Sequence, residues 1–147
     1  MHKLMMVGLS LTLLLACSGP IGPIPGGALE GSIKPWPQDW AFTDKVENIF
    51  VETGQDKPYS VTLWCVNNNG NLYIASSDKA SKWVKNIGEN PQVRLNIKGN
   101  LYESTANRVR DREEINRVIQ AYLTKYEIES DEDFVQEDGV LFRLYRP

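Results

Sequence analysis

The sequence predicts a mainly β fold with two helices, an α+β domain built on a six-stranded antiparallel barrel. Short runs rich in β-branched and aromatic residues recur from residue 45 to the C-terminus, and Asn- and Gly-containing turns join several of them as antiparallel neighbours. Two stretches with helical apolar spacing interrupt them.

The elements follow in order. "KVENIFVET" (Lys45 to Thr53) and "YSVTLWCV" (Tyr59 to Val66) read as strands. "NNNG" (Asn67 to Gly70) tolerates positive φ, so the second strand and "NLYIAS" (Asn71 to Ser76) form a hairpin. Next comes a helix with Ala80, Trp83, Val84 and Ile87 on one face, capped by Ser77 or Asp78 and ended by Gly88 and Pro91. "QVRLNI" (Gln92 to Ile97) alternates apolar and polar residues, and "KGN" (Lys98 to Asn100) turns it into "LYESTANRV". The second helix carries a core-facing stripe of Ile115, Val118, Ile119, Tyr122, Leu123 and Tyr126. Asp111 and Glu114 are spaced as a capping box, and Lys125 suits the dipole in the last turn. "GVLFRLY" (Gly139 to Tyr145) supplies the sixth strand.

One strand is apolar on both faces: Val61, Leu63 and Cys65 on one, Thr62, Trp64 and Val66 on the other. If the first face lines the barrel, the second needs a cover. A dimer partner, a flat aromatic ligand or the second helix would each provide one.

The N-terminus reads as an export signal. Met1-His2-Lys3 is a basic head, and Leu4 to Ala16 is an apolar run of 13 residues, short of the ~20 that span a bilayer. Leu14-Leu15-Ala16-Cys17 has the pattern of a bacterial lipoprotein signal, with residues 1–16 removed and Cys17 acylated. Residues 17–35 form a lipidated Gly/Pro-rich tether, since eight of the 14 residues from Ser18 to Gly31 are Gly or Pro, and residues 36–147 form the domain. The expected place is the bacterial cell envelope, anchored to the outer membrane and facing the periplasm.

Removing the signal changes the available chemistry. The single histidine, His2, leaves with it, which excludes Ser-His-Asp and Cys-His catalysis and His-ligated metal sites in the mature chain. With Cys17 lipidated, Cys65 is the one remaining cysteine, so no internal disulfide forms; its apolar setting reads as core rather than nucleophile. The mature net charge is −4, and nothing points to a nucleic-acid partner.

"ASSDKASKW" (Ala75 to Trp83) carries the binding chemistry. It leaves a strand through two serines and enters a helix with two lysines beside its first turn. Free N–H groups and a partial positive charge at a helix N-terminus, with hydroxyls and ammonium groups nearby, suit an anion such as a phosphate. The same residues also suit a plain capped surface helix.

The order "DKPYSVTLWCV", "GNLYIASS", "SKWVKNIGENPQVRLNIKGNLYESTANRV", "VLFRLYRP" resembles the flavin-binding split-barrel superfamily, the pyridoxamine 5'-phosphate oxidase-like proteins. The nearer likeness is to its deazaflavin-dependent nitroreductase branch, through Trp83, Asn86, Asn90 and Pro91 in a W-x-x-N-x-x-x-N-P arrangement before a strand. The resemblance covers about Val46 to Pro147. It implies a homodimer of split barrels with flavin-type cofactors between the subunits. Ser76, Ser77, Lys79, Ser81 and Lys82 would hold the phosphate, Val61, Thr62, Leu63 and Trp64 would line the ring, and Trp83 would stand beside them. No twin-arginine pair precedes the apolar run, so the chain is expected to acquire any cofactor outside the cytoplasm, which favours FMN, another small ligand or none over a deazaflavin.

Three readings follow. The first is a lipid-anchored protein binding FMN or a related flavin, serving as a nitroreductase-like or pyridoxamine-phosphate-oxidase-like oxidoreductase. The second is a non-catalytic module for haem or another flat small molecule. The third is a cofactor-free dimeric envelope protein.

Overall fold

The computed structural model describes residues 18–130 and 138–147. The stretch expected to be a signal peptide and Cys17, the expected acylation site, lie outside the described residues. Among the described residues there are seven strands and two α-helices: β1 Ser32–Ile33, β2 Asn48–Thr53, β3 Tyr59–Asn68, β4 Asn71–Ser76, α1 Lys82–Glu89, β5 Gln92–Ile97, β6 Asn100–Arg108, α2 Arg112–Lys125 and β7 Val140–Tyr145. A 3-10 turn, Ala41–Lys45, precedes β2 where strand was expected to begin.

The sheet runs β1-β6-β5-β2-β3-β4-β7 and closes through a β6–β7 pairing, so β2 to β7 form the six-stranded antiparallel barrel. The turn chemistry sets the register. Asn69 and Gly70 hold φ of 52° and 78°, joining Asn68 to Asn71, and Lys98 and Gly99 hold 52° and 84° between Ile97 and Asn100. Both are two-residue turns with positive φ at each position, whose twist matches the flanking strands. The Asn96 side chain accepts the Gly99 N–H at 2.9 Å, which offsets strain at Lys98.

Alternation along β3 builds two cores. Cys65 faces the barrel interior with Ile49, Val51, Leu72, Ile74, Val93 and Leu95, while half-buried Val61 and Leu63 pack at its margin. Val66 faces outward to Val118 and Tyr122 of α2. The stripe on α2 is narrower than expected: Ile119 and Leu123 stand outside that core and Ala121 packs against it instead. Asp111 accepts the Glu114 N–H at 2.8 Å, but the Glu114 carboxylate turns to the Tyr73 hydroxyl at 2.7 Å rather than back to the cap. Lys125 donates to the carbonyls of Thr43 and Cys65 at 3.0 and 2.6 Å, pinning α2 to the barrel as well as serving the dipole.

Helix α1 begins later than its caps suggested. Ser81, not Ser77 or Asp78, is the N-cap, and the helix runs past Gly88 to end at Asn90. Asp78 instead closes the loop, accepting the Ala80 N–H at 2.7 Å through its carboxylate and the Ser81 N–H at 3.1 Å through its carbonyl.

The Gly/Pro-rich segment departs from the free coil expected of residues 17–35. From Ser18 it is docked: Gly26 exchanges two backbone hydrogen bonds with Ser60, and Ser32–Ile33 pairs in parallel with Asn100–Leu101. Leu29 is buried, its N–H donating to Glu52 at 2.6 Å and its carbonyl accepting from Arg94. Glycine permits this: a Cβ on Gly31 would stand 2.5 Å from the Gly99 carbonyl oxygen.

Candidate functional site

The barrel opens along one strand. β4 pairs with β3 only from Cys65 to Asn68, and β2 covers the opposite edge from Tyr59 to Trp64. The edge of β3 facing away from β2 is therefore unmet by β4 over Tyr59–Trp64. Ser60 on that edge is taken by Gly26. Antiparallel alternation turns the Thr62 N–H and C=O the same way as those of Ser60, so Thr62 is the position the ladder leaves open. Its hydroxyl oxygen is buried and has no hydrogen-bond partner among the described residues, as has that of Ser60.

The Ser76–Lys82 junction leaves β4 beside this opening. Continuing the Cys65↔Ile74 register would set Ser76 opposite Leu63. The link back to β3 is made by Lys82, whose ammonium stands 4.6 Å from the Tyr59 ring centroid. Tyr59 was not among the expected site residues. It lies two positions from Val61 in the same strand, and a cation–π contact across sequence leaves no pattern to read.

The junction folds onto itself. The hydroxyls of Ser76 and Ser81 are 3.1 Å apart, and Ser76 also accepts the Asp78 N–H at 3.1 Å. The Lys79 N–H goes to the Asp138 carbonyl and its ammonium to the Asp138 carboxylate at 2.5 Å. So four backbone N–H groups, from Asp78, Lys79, Ala80 and Ser81, are satisfied internally. Lys82 and the exposed Ser77 remain, with the first-turn N–H groups of α1. The fit to a phosphate is thus partial: the Ser76 and Ser81 hydroxyls are brought together and the Lys82 ammonium lies over Tyr59, while Lys79 is held aside.

Trp83 is 6% exposed and packs on Phe142 with ring centroids 5.7 Å apart, so the structure places it in the core. The helical spacing that selected it places it on the apolar face of α1 with Val84 and Ile87. The rest of its motif is structural too: Asn86 donates to the Thr53 hydroxyl at 2.9 Å, and Asn90 to Gln55 at 3.1 Å while accepting the Gln92 N–H at 3.0 Å.

Trp64 is 42% exposed, and Tyr126 of α2 stacks on its ring. Of the three covers weighed for this face, α2 supplies part, and an area of Trp64 remains open. Beneath it, burial pushes the Cys65 thiol up, outweighing the Lys125 ammonium nearby, so a neutral core thiol is the resident state.

Among the described residues no cluster of three or more His, Cys, Asp or Glu side chains could hold a metal, and no helix is long and apolar enough to cross a membrane.

The comparisons agree with this fold. A family model described as F420H(2)-dependent quinone reductase matches residues 51–130. Among solved structures, a conserved hypothetical protein of Mycobacterium tuberculosis aligns with TM-score 0.59 at 18% identity, over 77% of this chain and 85% of that one. HutZ, the heme storage protein of Vibrio cholerae, aligns with TM-score 0.61 at 20% identity, over 73% and 86%. A Listeria innocua protein described as a candidate pyridoxamine 5'-phosphate oxidase aligns with TM-score 0.55 at 15% identity, over 71% and 87%. No curated protein matches the chain. At these identities the structural likenesses establish the split-barrel fold.

Proposed function

Because the chain belongs to the F420H(2)-dependent quinone reductase family, we propose that it is an oxidoreductase that binds a flavin-type cofactor, FMN or a deazaflavin, in the opening beside β3. We further read it as acylated at Cys17, held at the bacterial envelope and active as a homodimer.

The observation that carries the cofactor reading is Thr62: a buried hydroxyl without a partner among the described residues, on a strand edge the ladder leaves unpaired, two residues from a partly open Trp. Such a strand offers hydrogen-bond groups to the polar edge of a flat ring and apolar surface to its faces. From Tyr59, where Lys82 sits, to Trp64 the strand extends about 17 Å at ~3.3 Å per residue, room for a ring at one end and a phosphate-bearing tail at the other.

The bound cofactor would supply electron and hydride transfer. The chain's own residues bind and orient it. Thr62 fixes the ring edge, Val61, Leu63 and Trp64 exclude water from it, and Lys82 with Ser76, Ser77 and Ser81 meets the phosphate. No sequestered acid or base is required of the protein for a hydride step, which accords with a chain whose only histidine is His2.

HutZ is a heme storage protein, so a flat iron-bearing ligand is the competing reading. Residues 18–147 contain no histidine, and the thiol of Cys65 is buried. The donor set therefore favours the flavin. Titrating the purified protein with FMN, with a deazaflavin and with haem, while following absorbance, tests the choice: saturable flavin or deazaflavin binding supports it, and uptake of haem alone overturns it.

A further inference from the structure

We propose that Ser18–Gly27 is a rigid apolar finger that enters the membrane interface and fixes the orientation of the barrel on the bilayer; this rests on the reading of Cys17 as acylated. The twelve residues Ser18 to Leu29 carry no charged side chain. They form a narrow loop that folds back on itself. Ile21 and Ile24 exchange backbone hydrogen bonds of 3.0 and 2.9 Å around Gly22, whose φ is 54°, and Gly27 donates to the Ser18 carbonyl at 2.6 Å. Between them the two arms touch through backbone alone, since a Cβ on Gly26 would stand 2.3 Å from the Gly19 carbonyl carbon. Pro20, Pro23 and Pro25 restrict φ along both arms.

At the tip, Ile21 and Ile24 are 62% and 63% exposed, side by side on a turn too small to have a core of its own. At the base, Gly26 is paired to Ser60 at 2.9 and 2.8 Å, and Leu29 is clamped by Glu52 and Arg94. The finger is therefore continuous with the barrel and cannot swing as a coil would.

The occupant that fits is a lipid bilayer. A stable protein interface buries about 800 Å² per partner and carries hydrogen-bonding or aromatic anchors. The finger offers a two-isoleucine tip, no aromatic residue and, beyond Ser18, no polar side chain. Cys17 directly precedes it, so acyl chains there would hold the tip at the interface, where apolar side chains and an acyl anchor act together. A second contact adds orientation to an attachment that the lipid alone leaves free to rotate.

The test uses the full chain, processed in a bacterial host and placed in phosphatidylethanolamine–phosphatidylglycerol vesicles. A mass measurement of the N-terminal peptide establishes acylation. An environment-sensitive fluorophore is attached through Ile24→Cys or, as a control, through Asn107→Cys on β6, both at exposed positions. The label at 24 is expected to be at least about threefold less quenched by aqueous iodide than the label at 107, and to be quenched by nitroxide-bearing acyl chains. Equal iodide quenching at the two sites in acylated protein overturns the finger alone. Protection from iodide without nitroxide quenching also overturns it, because another protein copy then covers the tip. An unacylated N-terminus overturns the reading of Cys17 and the inference with it.

Discussion

The indole of Trp64 lies flat on the phenol of Tyr126, with centroids 4.1 Å apart and planes 9° from parallel. Tyr126 is itself fixed: its hydroxyl stands 2.6 Å from the Glu47 carbonyl and accepts the Cys65 N–H at 3.1 Å. Helix α2 thus holds one face of Trp64 and leaves part of the ring available. Tyr126→Phe keeps the stack but removes the hydroxyl, and should lower unfolding free energy by about 1 kcal/mol. Tyr126→Ala removes both and should raise acrylamide quenching of Trp fluorescence. Unchanged quenching in the Ala variant would mean the stack does not persist in solution.

Across β2 and β5, Arg94 grips Glu52 with Nε and Nη2 at 3.2 and 3.0 Å, and both hold Leu29. Glu52 is 8% exposed. Glu52→Ala leaves the Arg94 guanidinium, 33% exposed, and the Leu29 N–H without their carboxylate, so it should cost about 2 kcal/mol in urea denaturation. It should also release the N-terminal segment, read as faster proteolysis between Ser18 and Ile33. A stable variant with an undigested segment would show the clamp to be dispensable.

Alkaline pH should weaken the fold. Burial holds the phenols of Tyr73 and Tyr126 up to about 12, from the usual 10, and raises Tyr122 well above its usual value. In the unfolded chain these groups ionise near 10. Between pH 10 and 12 the unfolded state therefore releases protons that the native state keeps, and stability falls as pH rises; below 10 these groups contribute no slope. Urea midpoints from pH 8.5 to 11.5 should be flat and then decline, with a shallower decline in Tyr73→Phe. A midpoint that does not fall above pH 10 would contradict the assignment.

The junction predicts unequal lysines. Lys82→Ala and Ser77→Ala should each weaken a phosphate-bearing flavin by a kcal/mol or more, given ~1.5 to 3 for charged hydrogen bonds. Lys79→Ala should change it little, since that ammonium is engaged with Asp138 at the surface. Isothermal titration of the three variants gives the order, and equal losses at both lysines would show that Lys79 leaves Asp138 for the ligand.

The barrel was legible because its signals are local. Strand alternation, Asn-Gly and Lys-Gly turns and helical spacing of Val118 and Tyr122 each sit within a few residues. The docking of Ser18–Ile33 was not, because Gly and Pro report what a segment cannot do by itself and are silent on edges elsewhere that can pair with it. The packing partner of Trp83 was not legible for a related reason: spacing identifies an apolar face without saying that Phe142 meets it. Tyr59 and the open edge at Thr62 depend on where β4 stops pairing with β3, a register no local pattern states.

The central claim is that the opening at Thr62 takes a flavin-type ring. The most direct measurement is the dissociation constant for FMN, and for deazaflavin F420, in the native protein beside Thr62→Val, a substitution that keeps shape and removes the hydroxyl. Saturable binding of one of the two, weakened about five- to tenfold in Thr62→Val for the loss of one hydrogen bond, is the predicted result. Binding of neither, or binding that Thr62→Val leaves unchanged, would contradict it.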